Sequence, residues 1–308
     1  MTGRGGIHRD GDGWVECAHG HRHWGRFGAA GLLLHRIAAG GGTEILLQHR
    51  AEWSHHGGTW GLLGGARRGN EQPVATALRE AGEEADLHAD AVQVRGLYDD
   101  DHGGWSYVTV VAAEDGDAAA RAASPETVEV AWWPVDRLPE LSLHPGFAAS
   151  WPTLREAIAA LTVVVDAANV VGSRPDGWWK DRAAAARRLV REVATVCDIG
   201  IPDASLPDAL HRPALRHWWP HTTVVVEGAA RVVAEQGSGD GSGGRVRVLA
   251  APGSGDDAIV DAVADAGDGP RLVVTADREL RARCEALGAV AVGPSWFWRL
   301  LDAPDPTA

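Results

Sequence analysis

The chain has 308 residues, of which 45% are hydrophobic and 23% are charged, a composition typical of soluble globular proteins. This length favours two domains over one. The net charge of −13 disfavours a protein that holds DNA through its phosphates, although carboxylates that bind a divalent cation let an acidic protein act on nucleotides. Lys180 is the only lysine and the sequence has no GxxxxGK[ST] motif, which excludes a P-loop NTPase.

The first half of the chain alternates short apolar runs with turn signals. Two of these runs flank the turn sequence 38–42 and predict a β-hairpin. Pro73 suits the first turn of a helix, and the apolar residues that follow recur at helical spacing. The predicted strands are 29–35, 44–49, 60–63, 92–98, 105–112 and 128–134, and the predicted helices are about 73–85 and 147–161.

The second half begins with the run LTVVVD, residues 161–166, which is typical of a strand buried on both faces of a parallel sheet. Strands then alternate with helices, which predicts a doubly wound α/β sheet with flanking helices. We therefore place two domains, at 1–161 and at 162–308. The further predicted strands are 222–227, 246–250, 271–275 and 289–292, and the predicted helices are about 180–197, 257–266 and 278–287.

Cysteine usage and the absence of long apolar runs favour a cytoplasmic protein with no membrane partner. No apolar run reaches the ~18 residues that a membrane span needs, and the first residues lack the apolar segment of a secretory signal. The three cysteines are too scattered for a disulfide framework, so reduced thiols are expected. The segment 17–23 holds one cysteine and three alternating histidines, but this is not a zinc-finger spacing and zinc is not expected there. The sequence does not indicate an oligomeric state.

Glu80, Glu83 and Glu84 stand at positions i, i+3 and i+4 of the predicted helix 73–85. This spacing puts them on one helical face, with Cβ atoms about 5–6 Å apart. Three carboxylates this close repel one another unless a cation lies among them, and a hard divalent ion is the natural partner. Taken alone, the same pattern also fits a solvated acidic face. Arg79 is placed to pair with Glu83 or to reach back to Glu71.

The spacing around these glutamates resembles the Nudix box, GX5EX7REUXEEXGU, in which U is a bulky aliphatic residue. Ala81 at the first U position and Asp86 at the last glycine depart from the pattern, and neither replaces a metal ligand. The resemblance covers about residues 28–160. The residues that match the box are Gly65, Glu71, Arg79, Glu80, Glu83, Glu84 and Leu87.

The resemblance implies an α/β/α Nudix sandwich that hydrolyses a nucleoside diphosphate linked to another group. Glu80, Glu83 and Glu84 would hold Mg²⁺ or Mn²⁺, which neutralises the diphosphate and lowers the pKa of an attacking water. The implied substrate is an NTP or dNTP, oxidised forms included, or a nucleotide sugar. The alternative is a non-catalytic Nudix module that senses a nucleotide and regulates the attached domain, although a sensor has no need of the complete glutamate set.

Further residues are candidates for supporting roles in the Nudix half. Glu71 and Arg79 would orient the metal ligands, and Glu126, or Glu129 in its place, would assist from a later strand. Glu126 and Glu129 are also compatible with a position beside an edge strand and no role in catalysis. The pair Gly64-Gly65 predicts a turn. Substrate contacts are expected at Gly65 in this turn and at Trp60 and His56 just before it.

Acidic residues recur at the ends of the strands predicted in the second half. In an open α/β sheet, ligands bind outside the carboxyl ends of the strands. Acids that converge there favour a divalent ion, although each acid alone also fits a helix N-cap. The residues are Asp166, Glu227, Asp256, Asp257 and Asp277.

Three motifs that contain four of these acids resemble PIN-like nucleases of the NYN type over about residues 162–300. They are DxxN at 166–169, a GDD helix start at 255–257 and TADR at 275–278. The resemblance implies a PIN-like fold and metal-dependent cleavage of RNA, with single-stranded RNA as a partner. Asp166, Asp256 and Asp277 would be the Mg²⁺ or Mn²⁺ ligands, Asp166 and Asp277 would act in catalysis, and Asn169 would contact the substrate.

Overall fold

The computed structural model describes residues 10–210, 215–235 and 244–302. Within these residues the chain divides into two compact units. The first runs up to residue 158 and includes 215–216, and the second holds the other described residues from 159 onward. The assignment of a separate function to each unit stays a prediction. Among the described residues, no helix is both long and apolar enough to cross a membrane.

The first unit contains a large mixed β-sheet, a separate two-stranded sheet formed by its first two strands, and two α-helices. Its strands are β1 (Trp14–Glu16), β2 (Arg22–Trp24), β3 (Ala29–Ile37), β4 (Thr43–Arg50), β5 (Trp60–Gly61), β6 (Leu63–Ala66), β7 (Val92–Asp101), β8 (Ser106–Glu114) and β9 (Thr127–Pro134). Its helices are α1 (Pro73–Ala85) and α2 (Pro145–Ala157).

Strand β3 is the centre of this sheet because its apolar run Leu32–Leu34 is buried completely. It pairs in parallel with β8 and antiparallel with β4 and β6. Strand β7 pairs with β8, and β5 and β9 pair with β4, all antiparallel. Helix α1 packs against β3 and β6, so the predicted carboxylate face lies beside the glycine-containing strand β6.

Most predicted elements of the first unit are confirmed. Helix α1 begins at Pro73 and ends at Ala85, as its spacing predicts. It is capped by Asp86 in the left-handed conformation, with φ of 53°, which Asp tolerates better than most residues. The predicted hairpin forms between β3 and β4. The prediction that the second helix extends to 161 is wrong, because α2 ends at Ala157. The short hairpin of β1 and β2 carries too little alternation to be predicted.

The second unit alternates strands and helices. Its strands are β10 (Thr162–Asp166), β11 (Ile201–Pro202), β12 (His217–Trp218), β13 (His221–Val226), β14 (Val246–Ala250), β15 (Arg271–Val274) and β16 (Val290–Val292). Its helices are α3 (Ala167–Gly172), α4 (Arg182–Ile199), α5 (Val232–Glu235), α6 (Gly255–Ala264), α7 (Arg278–Glu285) and α8 (Pro294–Asp302).

Five strands of the second unit form a parallel sheet in the order β14-β13-β10-β15-β16. The predicted doubly wound parallel sheet is therefore observed. The strand order reverses at β10, so the carboxyl end of β10 is the place where such sheets bind ligands. This sheet occurs in many α/β proteins and does not by itself establish a PIN-like fold. Helices α3, α5 and α8 were not predicted, since the first two are six and four residues long and the third is rich in aromatic residues.

Candidate functional site

Two adjacent glycines of β6 let the carboxylates of α1 approach the sheet backbone. A Cβ on Gly64 would lie 2.5 Å from the carbonyl oxygen of Ala30 and 2.5 Å from Cα of Gly31. A Cβ on Gly65 would lie 2.7 Å from Cδ of Glu80. Gly64 therefore fits only without a side chain. Gly65, which was expected in a turn, lies in β6, and the carboxylate of Glu80 lies directly against it.

Glu84 is buried at the point where α1 meets β4 and β6, with 7% of its surface exposed. Its Oε2 accepts hydrogen bonds from the backbone N–H of Gly64 and from Nε2 of Gln48, both at 2.9 Å. Burial raises the pKa of Glu84 to about 7, and the charge of Glu80 adds to this rise. A cation placed beside Glu84 would reverse the shift.

Arg79 binds two of the neighbouring glutamates. Its Nε and Nη2 donate to the two carboxylate oxygens of Glu71 at 2.7 and 2.8 Å, a bidentate pair. Its Nη1 donates to Oε1 of Glu80 at 2.5 Å, and Nη2 also donates to the carbonyl of Ala66 at 3.2 Å. The hydrogen bonds from Arg79 lower the pKa of Glu71 to about 2. This geometry suits the orienting role predicted for both residues.

Glu83 lies at the outer edge of the same helical face. Its Oε1 is 3.6 Å from Nη2 of Arg68 and 3.6 Å from Nη1 of Arg79. Among the described residues, some groups of possible metal-binding side chains have ligand atoms that all lie within 4.8 Å of one another. Glu80, Glu83 and Glu84 do not form such a group. Arginine side chains, the Gln48 amide and a backbone N–H hold these carboxylates in this structure. The donor set still fits a hard divalent cation, because it consists of carboxylate oxygens from one helical face.

Gln48 and Thr127 are site residues that the sequence analysis missed. Gln48 is fully buried on β4, where its Nε2 also donates to the carbonyl of Leu62 at 3.0 Å. Its Oε1 accepts a hydrogen bond of 2.9 Å from Oγ1 of Thr127 on β9. The sequence contains one signal for Gln48, because it is a polar residue that directly follows the apolar run 45–47.

The β9 residue linked to Glu84 through Gln48 is therefore Thr127, next to the predicted Glu126. The side chains of Glu126 and Glu129 are exposed, and the carbonyl of Glu126 accepts a hydrogen bond from the N–H of Ala51. A role of either glutamate in catalysis stays a prediction.

Trp60 and His56, predicted to contact the substrate, occupy different surroundings. The Trp60 ring stacks on His49 with centroids 4.9 Å apart, and its edge meets Trp133 at 5.5 Å. His56 is exposed and makes edge contacts with His55 and His144 at 4.1 and 4.7 Å. Trp60 is thus held by packing, while His56 lies on an accessible loop.

In the second unit, Asp166 is buried at the carboxyl end of β10. Its Oδ2 accepts hydrogen bonds from Oγ1 of Thr275 at 2.8 Å and from Nδ2 of Asn169 at 2.9 Å, and its Oδ1 accepts one from the N–H of Asn169 at 3.0 Å. The predicted proximity of Asp166 and Asn169 is therefore present. Thr275, fully buried after β15, was not predicted to take part.

Two of the other predicted acids, Asp256 and Asp277, lie close enough to Asp166 for their charges to interact. Burial and the charges of Asp277 and Asp166 raise the pKa of Asp256, as expected for neighbouring carboxylates that repel one another. Asp277 also serves as the N-cap of α7 through a bond of 2.9 Å from the N–H of Leu280. Glu227 accepts a hydrogen bond of 3.0 Å from the N–H of Gly255, the first residue of α6. Metal binding at these acids stays a prediction.

Asp257 occupies a different position from these acids. Its Oδ1 is 2.7 Å from Nη2 of Arg283 on α7. Because both side chains are largely exposed, this surface ion pair is worth little to stability.

Comparison with known proteins identifies the first unit. The NUDIX domain family model matches residues 29–156. A Mycobacterium tuberculosis H37Rv protein described as "Putative 8-oxo-dGTP diphosphatase 3" is 47% identical over 163 residues, which is 50% of this chain and 74% of that protein. A Bifidobacterium longum protein described as "Nucleoside triphosphate pyrophosphatase/Nudix hydrolase fusion protein" is 43% identical over 150 residues, 47% of this chain and 31% of that protein.

Among solved structures, the Nudix hydrolase RenU of M. smegmatis is 45% identical, and the match covers 48% of this chain and 96% of that one with a TM-score of 0.45. The box residues, the match to the NUDIX family model and the similarity to the M. tuberculosis protein together define a Nudix domain. The chain belongs to the Nudix family, whose hydrolases generally use divalent metal ions. The resemblance seen in the sequence is thereby confirmed for the first unit. The PIN-like assignment of the second unit stays a prediction.

Proposed function

We propose that the Nudix unit hydrolyses a nucleoside triphosphate, with 8-oxo-dGTP as the first candidate substrate. The observation that carries the proposal is the complete set of Glu80, Glu83 and Glu84 on one face of α1, beside the glycines of β6. The substrate class is supported by the description of the M. tuberculosis relative. In the reaction, a bond forms between a water oxygen and phosphorus and a phosphoanhydride P–O bond breaks. Nucleoside monophosphate, pyrophosphate and a proton are released.

Glu80, Glu83 and Glu84 are the residues that would hold Mg²⁺ or Mn²⁺. When bound, the ion supplies positive charge to the phosphates and lowers the pKa of a water. Arg79 fixes Glu80 and, through its bidentate pair, Glu71. Gln48 and the N–H of Gly64 fix Glu84 in a buried position that excludes bulk water.

The test is a panel of nucleotides incubated with the full chain and Mn²⁺. The panel includes 8-oxo-dGTP, dGTP, ATP and a nucleotide sugar, and products are separated by ion-exchange chromatography. We expect 8-oxo-dGMP and pyrophosphate in equal amounts, with turnover abolished by EDTA. Saturable nucleotide binding without turnover on any substrate would contradict hydrolysis and support the sensing alternative. Turnover of the nucleotide sugar alone would contradict the substrate class.

We also propose that the second unit is a PIN-like domain that cleaves single-stranded RNA with Mg²⁺ or Mn²⁺. The observation that favours this function is buried Asp166 at the point where the strand order reverses, with Asp256 and Asp277 nearby. Asp166, Asp256 and Asp277 would hold the ion, and Asn169 would help to position the RNA.

The test compares cleavage of end-labelled single-stranded RNA by wild type, Asp166→Asn and Asp198→Asn. Asp198 is an exposed residue at the end of α4 and serves as the control. We expect wild type and the control to cut RNA and Asp166→Asn to lose activity by at least ~10²-fold. Equal cleavage by all three proteins, or none by wild type with either metal, would contradict the proposal.

A further inference from the structure

Four side chains with metal-binding atoms come together away from the Nudix glutamates. They are Cys17, His21, His23 and His102, and one ligand atom from each lies within 4.8 Å of all the others. Cys17 and His21 belong to the turn between β1 and β2, and His23 lies on β2. His102 comes from the turn between β7 and β8, far from the others in sequence, so only the fold assembles this cluster of one cysteine and three histidines.

Backbone hydrogen bonds hold the two turns together. The N–H of Cys17 donates to the carbonyl of His21 at 2.9 Å, which closes the first turn. The N–H of Ala18 donates to the carbonyl of Gly103 at 2.8 Å, which fixes the first turn on the second. A Cβ on Gly103 would lie 2.7 Å from Cβ of Ala18, so the two turns are in close contact.

One histidine of the cluster has a buried nitrogen without a partner in the described part of the chain. Nε2 of His23 is shielded from solvent and has no hydrogen-bond partner among the described residues. Burying such an atom without a partner is unfavourable, so the arrangement calls for a bound group. The ring of His23 stacks on Trp105 at 4.1 Å with an interplanar angle of 13°, which fixes its plane.

Asp100 provides support from outside the cluster. Its Oδ2 lies 3.3 Å from Nε2 of His102, which leaves Nδ1 of that ring as the atom for a ligand. Carboxylates commonly orient metal-binding imidazoles in this way.

The chemistry of these donors selects the ion. One thiolate and three imidazoles suit zinc, whereas Mg²⁺ and Mn²⁺ prefer the oxygen donors found on α1. Tetrahedral zinc places its ligand atoms about 3.3–3.7 Å apart. The four ligand atoms here all lie within 4.8 Å of one another, so they are already close to the separation that zinc requires. Four protein ligands leave no open position, which is typical of a structural rather than a catalytic zinc.

We infer that Cys17, His21, His23 and His102 form a structural Zn²⁺ site that fastens the β1–β2 hairpin to the turn between β7 and β8. On binding, the thiol of Cys17 releases its proton to solvent and binds as thiolate. The sequence spacing misses this site because it contains three of the four ligands and lacks His102.

The test measures metal in the full chain, purified without a histidine tag and dialysed against metal-free buffer. Zinc is determined by mass spectrometry for wild type, Cys17→Ser, His102→Gln and His19→Gln. His19 is exposed in the same turn and lies outside the cluster, so it is the matched control. We expect about one Zn²⁺ per chain in wild type and the control, and a loss of at least ~10-fold in both ligand variants.

Replacement of zinc by Co²⁺ gives a second measurement that does not depend on the folding of a variant. We expect wild type to show a thiolate-to-cobalt charge-transfer band and the strong visible bands of tetrahedral Co²⁺. The thiolate band also distinguishes this site from a second group, His55, His56 and His144, whose ligand atoms lie within 4.8 Å of one another but which contains no cysteine. The inference is overturned if wild type retains no zinc, if Cys17→Ser retains as much as wild type, or if bound Co²⁺ shows no thiolate band.

Discussion

Nε2 of Gln48 on β4 donates a hydrogen bond of 2.9 Å to Oε2 of Glu84 on α1. This contact joins a fully buried amide to a buried carboxylate whose pKa burial raises to about 7. Gln48 is itself fixed by hydrogen bonds to Leu62, between β5 and β6, and to Thr127 on β9. The position of Glu84 therefore depends on these strands as well. The placement of this glutamate is therefore a property of the whole sheet.

Replacing Gln48 with Met, which has a similar length, removes the amide and leaves the carboxylate of Glu84 with one fewer donor. We expect kcat/KM for nucleotide hydrolysis to fall about 10-fold or more and stability to fall by about 1–3 kcal/mol. We also expect the acid limb of the pH profile to move to higher pH, because the lost hydrogen bond favours the ionised form of Glu84. Thr127→Val is the matched control, since it removes a bond one step further away. Unchanged kinetics in Gln48→Met would show that Glu84 does not depend on Gln48.

The neighbouring glycines of β6 should respond differently to alanine. In Gly64→Ala the new Cβ meets backbone atoms of β3 at 2.5 Å, so we expect the free energy of unfolding to fall by about 1–3 kcal/mol. In Gly65→Ala the Cβ meets the carboxylate of Glu80 rather than backbone atoms, so the fold should survive as that side chain shifts, while kcat/KM falls by up to ~10²-fold. Thermal unfolding and hydrolysis assays on both variants separate the effects. A destabilised Gly65→Ala, or a fully active one, would contradict this interpretation.

His35 on β3 should make the protein sensitive to acid. Burial, with the nearby Arg95, lowers the pKa of His35 to about 4. His35 binds a proton near pH 6.5 in the unfolded chain but only near pH 4 in the folded protein. The contribution of neutral His35 to the free energy of unfolding is therefore complete above pH 6.5 and is lost as the pH falls towards 4. The loss amounts to about 3 kcal/mol.

We expect His35→Gln to lose much less stability than wild type between pH 7 and pH 4.5. Unfolding midpoints measured across that range test the expectation. The exposed histidine at position 88 supplies the control, His88→Gln, which should follow the wild-type curve. An identical acid loss in His35→Gln and wild type would mean that other groups cause it.

The sequence predicts α1 and its carboxylate face well because Pro73, the helical period of apolar residues and the fixed spacing of the box are all local signals. It does not reveal Gln48 or Thr127, whose roles depend on pairing between β4 and β9 and on burial. His102 joins Cys17 for the same reason, since residues far apart in sequence meet only through the sheet. In the second unit, the acids at strand ends were predictable from the pattern of a parallel sheet. The contact of Thr275 was not, although Thr275 belongs to the TADR motif, because its hydrogen bond to Asp166 joins residues 109 positions apart in sequence.

The central claim is that the carboxylates of α1 support metal-dependent hydrolysis, and Glu84→Gln tests it most directly. The assay is initial-rate hydrolysis of 8-oxo-dGTP with Mn²⁺ by wild type and variant. The folding control is thermal unfolding in EDTA near pH 8. There the variant should be at least as stable as wild type, because burial disfavours the charge of Glu84. We expect a folded variant that has lost turnover by at least ~10²-fold, whereas a folded Glu84→Gln that hydrolyses the nucleotide at the wild-type rate would contradict the account.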